Sequence, residues 1–596
     1  MCRIAGIVSG RMAAPEMRAK VGLMCAALQH GGPDDEGLFI DEQAQLVFGH
    51  RRLAIIDLSK NGHQPMADFH QRAWITFNGE IYNYTEIRQE LQESGVRFNS
   101  LTDTEVILNA YLKWGTGAFS KFRGMFAFAL YDKAKMLTYL VRDATGIKPL
   151  YYKDVKGQLS FASEVRAFRA AGIAGEADAN WQIRFLAHGN IPEPYTTLKD
   201  IYSLPKGHFL VWDLNKGDSK IVPYQVAAAD SIIMDARLAK EKIVDVLTKA
   251  VNRQLLASDA PIGVFLSGGI DSSIIALLAN EEQRQALKTI SIYFNEKAYD
   301  ESAYQHVVLD KIGGEKFVHL VQQQDFEKYF PTIIADMDMP TTDGINSWFI
   351  SKYAHDDGLK AALSGLGADE LFGGYPSFNR IRYLKYLRSL PPGILRGAAN
   401  LKADKYRKVS FLANQHFCAD YLLLRGLFVS ADIAKILDTD VRNVEEVLFE
   451  GNPSRGPGSY NEESAAWFEQ NLYMQNQLLR DTDVMSMSHG LEVRVPFLDE
   501  DFQCLANSIS PLIRFDRKQP KKLLIDSFSD ILPQSVWKRH KMGFSFPLQQ
   551  WMSEHTAIGN ESLYPGKISR DLIVKFKTGQ MHWSKAFALY QIHLHG

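Results

Sequence analysis

Disulfide scaffolds and zinc ribbons need cysteines in numbers, and this chain has four in 596 residues. Cys2, Cys25, Cys418 and Cys504 lie far apart and form no CxxC pair, so neither framework is indicated. Such usage fits a reducing, cytoplasmic compartment. No uninterrupted apolar run approaches the ~18 residues of a membrane span. The N-terminus lacks the charged-then-apolar pattern of a secretory signal. An excess of charge is also missing: 67 basic against 69 acidic residues leave a formal net charge of −2, which argues against a nucleic-acid partner. There is no internal repeat and no low-complexity tract. What remains is an ordinary globular composition, 46% apolar and 23% charged, in a chain too long for one core.

Two textures divide the chain. Residues 1 to about 215 read as short strands and turns, for example Leu46–His50, Ala73–Gly79, Phe126–Asp132 and Met136–Asp143. A polar stretch over Asp213–Lys220 reads as a linker. From about 236 an amphipathic helix (Asp235–Val251) leads to a buried strand (Pro261–Leu266), an apolar helix (Ser272–Asn280) and another strand (Leu287–Phe294). Strand, loop, helix, strand is the grammar of a parallel α/β sheet. Beyond about 380 the pattern is mostly helical.

Cys2 follows the initiator directly, and cysteine is small enough for Met1 to be removed. One residue would then carry a thiol titrating near ~8.5 and an α-amine near ~7.7–8.0. The amine could act as base for its own thiol and make a nucleophile suited to an amide. A second chemical feature lies between the buried strand and its helix, at Leu266-Ser267-Gly268-Gly269-Ile270-Asp271-Ser272-Ser273. Glycines let backbone N–H groups approach a phosphate, and the helix start adds partial positive charge. Asp271 disfavours a bare phosphate, so Mg²⁺ is its expected partner. A further glycine-rich stretch, Ser364-Gly365-Leu366-Gly367-Ala368-Asp369-Glu370-Leu371-Phe372-Gly373-Gly374-Tyr375, puts two carboxylates beside small residues, to bind metal or cap a helix.

Together these features resemble the glutamine-dependent asparagine synthetase family over nearly the whole chain. The resemblance implies an N-terminal-nucleophile amidotransferase domain over 2–215, an α+β sandwich of antiparallel sheets. It implies an α/β ATP-pyrophosphatase domain with a helical C-terminal part over 236–596. In its terms Cys2 attacks the glutamine amide, and Asn78 and Gly79 form the oxyanion hole. Arg52 pairs with the glutamine α-carboxylate, and Glu80 and Asp103 hold its α-amino group. ATP would be bound by Phe265, Ser267, Gly268, Gly269, Asp271, Ser272, Ile292, Ser364, Gly365 and Lys521, with Mg²⁺ on Asp271. Ammonia would pass inside the protein to an activated carboxylate. The resemblance admits a homodimer.

Three departures stand out. Gln29-His30-Gly31-Gly32-Pro33-Asp34 replaces the usual Arg-His-Arg-Gly-Pro-Asp, so two cations are missing. Leu366 stands where the family carries an acceptor-side glutamate. Met339–Ser347 differs from the usual acceptor-side segment. Asparagine synthesis from aspartate is the default expectation. The alternative is the same chemistry on another carboxylate, such as a uronic acid of a surface polysaccharide or a secondary metabolite. A β-lactam synthetase-like ligase ranks third, because such relatives typically lack the N-terminal cysteine. The run Arg480-Asp481-Thr482-Asp483 through Asp499 also fits the family and reads as mainly structural.

Overall fold

The computed structural model describes every residue except 1, 156, 225–230, 452–455, 540–541 and 596. Its N-terminal portion holds two six-stranded sheets, antiparallel throughout. The first runs, edge to edge, Tyr202–Ser203, Tyr151–Val155, Gln158–Ala162, Arg3–Ser9, Leu46–Arg52 and Asp35–Asp41. The second runs Asp218–Pro223, His208–Asp213, Leu137–Arg142, Gly124–Asp132, Ala73–Ile81 and Met66–Ala67.

Alternation along the strands sets the layers, because successive side chains leave a strand on opposite faces. Ile4, Val8, Leu46 and Phe48 pack against Ala127, Ala129, Leu140 and Trp212 of the second sheet. The intervening Ala5, Ile7 and Val47 pack with Met17, Val21 and Met24 of the helix Ala14–Ala27. The outer face of the second sheet buries Ile75, Phe77, Phe126 and Phe128 with Ile87, Ile107 and Tyr111 of the helices Tyr84–Glu93 and Asp103–Trp114. The layers are therefore helix, sheet, sheet, helix. Each buried Val, Leu, Ile, Met or Phe side chain among these contributes about 1.5–3 kcal/mol relative to exposure.

The polar stretch read as a linker is instead a hairpin turn. Asp213 pairs with Asp218 across it, and the second sheet continues to Pro223. Asp213 Oδ1 accepts from the Asn215 backbone at 3.0 Å and closes the turn. Turns and linkers draw on the same polar residues, so composition alone does not separate them.

The C-terminal portion begins with the helix Ala236–Leu256, capped by the Asp235 side chain, which accepts from the Arg237 and Leu238 backbone. A five-stranded parallel sheet follows in the order Glu315–Leu320, Lys288–Tyr293, Ile262–Phe265, Ala361–Leu363 and Glu492–Arg494. The last strand lies inside the stretch read as helical. Three residues are too few to show a period, and the strand exists because Ala361–Leu363 offers it an open edge. In the helical region a continuous run leads from Glu462–Phe468 through a π-helical stretch, Glu469–Leu479, into Arg480–Met487.

Candidate active sites

Cys2 lies at the foot of the strand Arg3–Ser9, in the first sheet. Its side chain is buried, and Sγ lies 3.9 Å from the Leu53 carbonyl. Burial pushes the thiol above its ordinary range. Cys2, Arg52, Gly79, Glu80, Thr102, Asp103 and Glu492 are among the residues around a small cavity of about 30 Å³. That volume holds a water, not a glutamine, so a substrate must open it. The segment Ile55–Gln64 supplies several wall residues and holds Arg52 through the carbonyls of Ile56 (3.4 Å), Asp57 and Ser59 (2.9 Å).

Gly79 has φ +148°, and a Cβ there would lie 2.1 Å from the Met125 carbonyl oxygen, so only glycine fits. Asn78 is fully buried and, unlike Gly79, does not line the cavity; its Nδ2 lies 3.5 Å from Ser163 Oγ. Asp103 opens the helix Asp103–Trp114 and accepts from the Ile81 backbone at 3.0 Å. Burial raises its carboxyl to about 6. The Glu80 carboxylate pairs with Arg494, which also holds Glu492 at 2.6 Å. Glu80, which the resemblance aims at glutamine, lines the Cys2 cavity with its carboxylate paired to the C-terminal portion of the chain.

The second site is built at the C-terminal ends of the parallel strands, where α/β sheets bind ligands. Ser267 Oγ and Ser272 Oγ are 2.9 Å apart and tie the loop to the start of the helix Ile270–Gln283. Gly268 takes φ +78°, which lets the chain turn there. A Cβ on Gly365 would come within 2.8 Å of the Ser272 backbone nitrogen, so the two glycine-rich segments meet backbone to backbone. Phe265, Ser267, Gly269, Asp271, Ser272, Ile292, Ser364, Gly365 and Leu366 line a common cavity of about 260 Å³. It adjoins a larger one of about 990 Å³, with Asp343, Asn346, Tyr375 and Leu478 on both walls.

Lys521 is the lysine that the resemblance places at the ATP site. It is buried, precedes the short helix Lys522–Ser527, and bridges Asp271 (2.5 Å) and Asp369. Two carboxylates from different elements thus converge on one cation. Hard oxygen donors of this kind suit Mg²⁺ shared with nucleotide phosphates. Glu370, one residue on, receives the Tyr375 hydroxyl at 2.7 Å. Burial and Asp369 raise its carboxyl to about 7.

Sequence reasoning missed several walls of this cavity. Asp481 and Thr482, in the run read as mainly structural, line it; Asp343, in the acceptor-side segment, and Glu370, in the second glycine-rich stretch, line it too, where the sequence had flagged the segments. Burial raises Asp481 to about 7, against the opposing pull of Arg480. Among the described residues that line the inner cavity there is no lysine or arginine.

An N-terminal-nucleophile sandwich and a parallel-sheet nucleotide domain on one chain define a glutamine amidotransferase coupled to an ATP-using synthetase. Residues 1–225 match the glutamine amidotransferase domain family, and residues 242–564 match asparagine synthase. The chain belongs to the asparagine synthase family. It is 32% identical over 572 residues to a glutamine-hydrolysing asparagine synthetase 1 of Bacillus subtilis, covering 93% of this chain and 88% of that protein. It is 28% identical to a glutamine-hydrolysing asparagine synthetase 3 of the same organism, covering 91% and 86%. It is also 26% identical to the amidase chry2 of Gibberella zeae, covering 88% and 84%. The family implies glutamine as amido donor, ATP use and a carboxylate acceptor. Among the described residues no helix is long and apolar enough to cross a membrane.

Proposed function

We propose that this chain transfers ammonia from glutamine to an ATP-activated carboxylate. One observation carries the reading: Glu492 lines the Cys2 cavity and the next residue, Val493, lines the nucleotide-side cavity. Two reactive sites that share a single strand as their wall suit the passage of ammonia out of contact with bulk water.

In this mechanism Met1 is removed and the Cys2 α-amine takes the thiol proton. The thiolate attacks the glutamine amide carbon, C–N cleaves, ammonia leaves, and water later hydrolyses the thioester to glutamate. Asn78 and Gly79 stabilise the oxyanion. Arg52 and Asp103 hold the glutamine α-carboxylate and α-ammonium once the cavity widens around the substrate. At the second site the acceptor carboxylate attacks the α-phosphorus of ATP and pyrophosphate leaves toward Lys521. Mg²⁺, when bound at Asp271 and Asp369, would supply charge neutralisation of the phosphates. Ammonia then attacks the acyl-adenylate, AMP departs, and Asp481 takes the released proton.

The acceptor we favour is larger than aspartate. A free amino acid brings an α-carboxylate that needs a cation, and the described lining of the inner cavity offers none. Leu366 presents an apolar wall there, and the adjoining 990 Å³ cavity leaves room for a bulky carrier of the carboxylate. Its aromatic rings and hydroxyls (Tyr375, Tyr421, Tyr473, Trp583) with Arg382 and Arg517 suit a polyhydroxylated or peptide-like body. Asparagine synthesis is the second reading, favoured by the full-length asparagine synthetase relatives.

Pyrophosphate release with aspartate, compared against uronic acids and larger carboxylates, separates the two. Release with aspartate at the level of the best acceptor would sink the larger-acceptor reading. Cys2→Ala should abolish glutamine-dependent amidation and keep the ammonia-dependent reaction; retention of both would sink the role of Cys2.

A further inference from the structure

The residue after the nucleophile is an arginine whose side chain joins a carboxylate of its own domain, Glu164, to one of the C-terminal portion, Asp483. We propose that Arg3 is a positioning residue: through Asp483 it ties the state of the nucleotide-side cavity to the placement of Cys2. The inference rests on the two-site reading above.

Arg3 is fully buried and shares a peptide bond with Cys2. Its Nε lies 2.7 Å from Glu164 Oε1, and its Nη1 lies 2.8 Å from Asp483 Oδ2. Its Nη2 reaches the Asp483 carbonyl at 3.5 Å. Glu164 is shared with His30 (2.9 Å) and Arg166 (2.8 Å), and Asp483 is shared with Lys148 (2.6 Å). A planar guanidinium held on two edges by carboxylates has one orientation, so displacing Asp483 turns the Arg3 side chain and loads the strand that begins at Cys2.

The loop departure noted in the sequence gives this arginine its place. A Cβ on Gly31 would lie 2.7 Å from Arg3 Cγ and 2.8 Å from its Nε. Arg3 therefore occupies space that any side chain at 31 would need. The usual family pattern has an arginine at that loop position. Here the cation rises from the nucleophile's own strand and reaches across to the synthetase half.

At its other end the link reaches the helix that supplies part of the second cavity's wall, one residue beyond that wall. Asp483 follows Asp481 and Thr482, which line that cavity, on the helix Arg480–Met487. This helix continues directly from the π-helical stretch Glu469–Leu479, whose Leu478 faces the same cavity and whose Tyr473 and Gln477 face the outer one. Wide π turns are rare and concentrate at functional sites. Tightening one such turn to α geometry shifts the register of everything after it, Asp483 included. In this proposal the turn is the element with two arrangements that coupling between sites requires.

Buried ion pairs are poor sources of stability, since packed apolar residues of similar volume often do as well. A role in linkage accounts for placing one here.

The test reads Cys2 directly and needs no acceptor. Full-length protein is treated with iodoacetamide with and without MgATP, and Cys2 alkylation is followed by peptide mass spectrometry. Calorimetry measures MgATP binding in parallel. In the natural sequence MgATP should change the Cys2 rate by about 5-fold or more, the low end of coupling between sites. In Asp483→Asn the MgATP effect should vanish with MgATP still bound, and Arg3→Lys, which keeps the charge but loses the fork, should fall between. MgATP binding with no change at Cys2 in the natural sequence overturns the inference, as does a full effect kept in both variants. Absence of MgATP binding removes both this inference and the proposed function. Glutamate release measured alongside reports on the proposed function alone.

Discussion

Glu492 and Val493 are neighbours on one three-residue strand, yet they face different cavities. The edge of the synthetase sheet is thus the partition between the thiol and the nucleotide loop. Arg494, next along, anchors the strand by pairing with Glu80 on one side and donating to the Ala257 carbonyl at 2.8 Å on the other.

Enlarging Val493 should therefore separate the two reactions. Val493→Trp overfills a buried position, at a cost of about 1–3 kcal/mol. Glutamate should still form from glutamine, while pyrophosphate formed per glutamate falls. Reaction with added ammonium, supplied from the synthetase side, should hold up better than reaction with glutamine. Equal losses with both nitrogen sources would mean that ammonia does not cross at this strand.

Acid should weaken glutamine binding. Asp103 has its carboxyl raised to about 6 by burial, so it gains a proton and loses its charge as pH falls through that value. The glutamine KM should rise below pH 6 in the natural sequence, and this inflection should vanish in Asp103→Asn. The stability sign is the reverse. A carboxyl with a raised folded-state pKa is relieved by protonation, so this group adds stability as pH drops toward its unfolded value.

Asp481→Asn should slow the ammonia-dependent reaction by about 10²–10⁴-fold, the range expected for loss of a general base. In the natural sequence the rate should fall below about pH 7, where Asp481 is protonated. An unchanged pH profile in the variant would move the proton acceptor elsewhere, with Glu370 next in line.

Lys521→Ala should cost about 3 kcal/mol of stability, because it removes a buried cation shared by two carboxylates. Pyrophosphate release should be lost while glutamine hydrolysis continues. Lys521→Arg should recover stability more than activity, since the larger guanidinium does not fit the same point between Asp271 and Asp369. Urea melts and the two activity assays, run on the same preparations, check both effects.

Much of this was legible in the residues. Short alternating strands at the start and a strand–loop–helix signal at Ser267 carry local information, because period and glycine chemistry act over a few residues. The polar hairpin at Asp213–Asp218 was not legible as a hairpin, since nothing local separates a turn from a linker. The strand Glu492–Arg494 was also missed: three residues have no period, and only the open sheet edge makes them a strand.

The sequence by itself determined the family and the residues that mark it: a cysteine at position 2, a Ser/Gly loop between a strand and a helix, and a second glycine-rich stretch. Only tertiary structure decided how they meet. The partition at Glu492 and Val493, the engagement of Glu80 by Arg494, the burial of Lys521 between two aspartates, and the bridge from Arg3 to Asp483 all join residues far apart in the chain. Charge placement inside a protein depends on which distant partner is buried against it. That is a property of packing, and no local pattern encodes it.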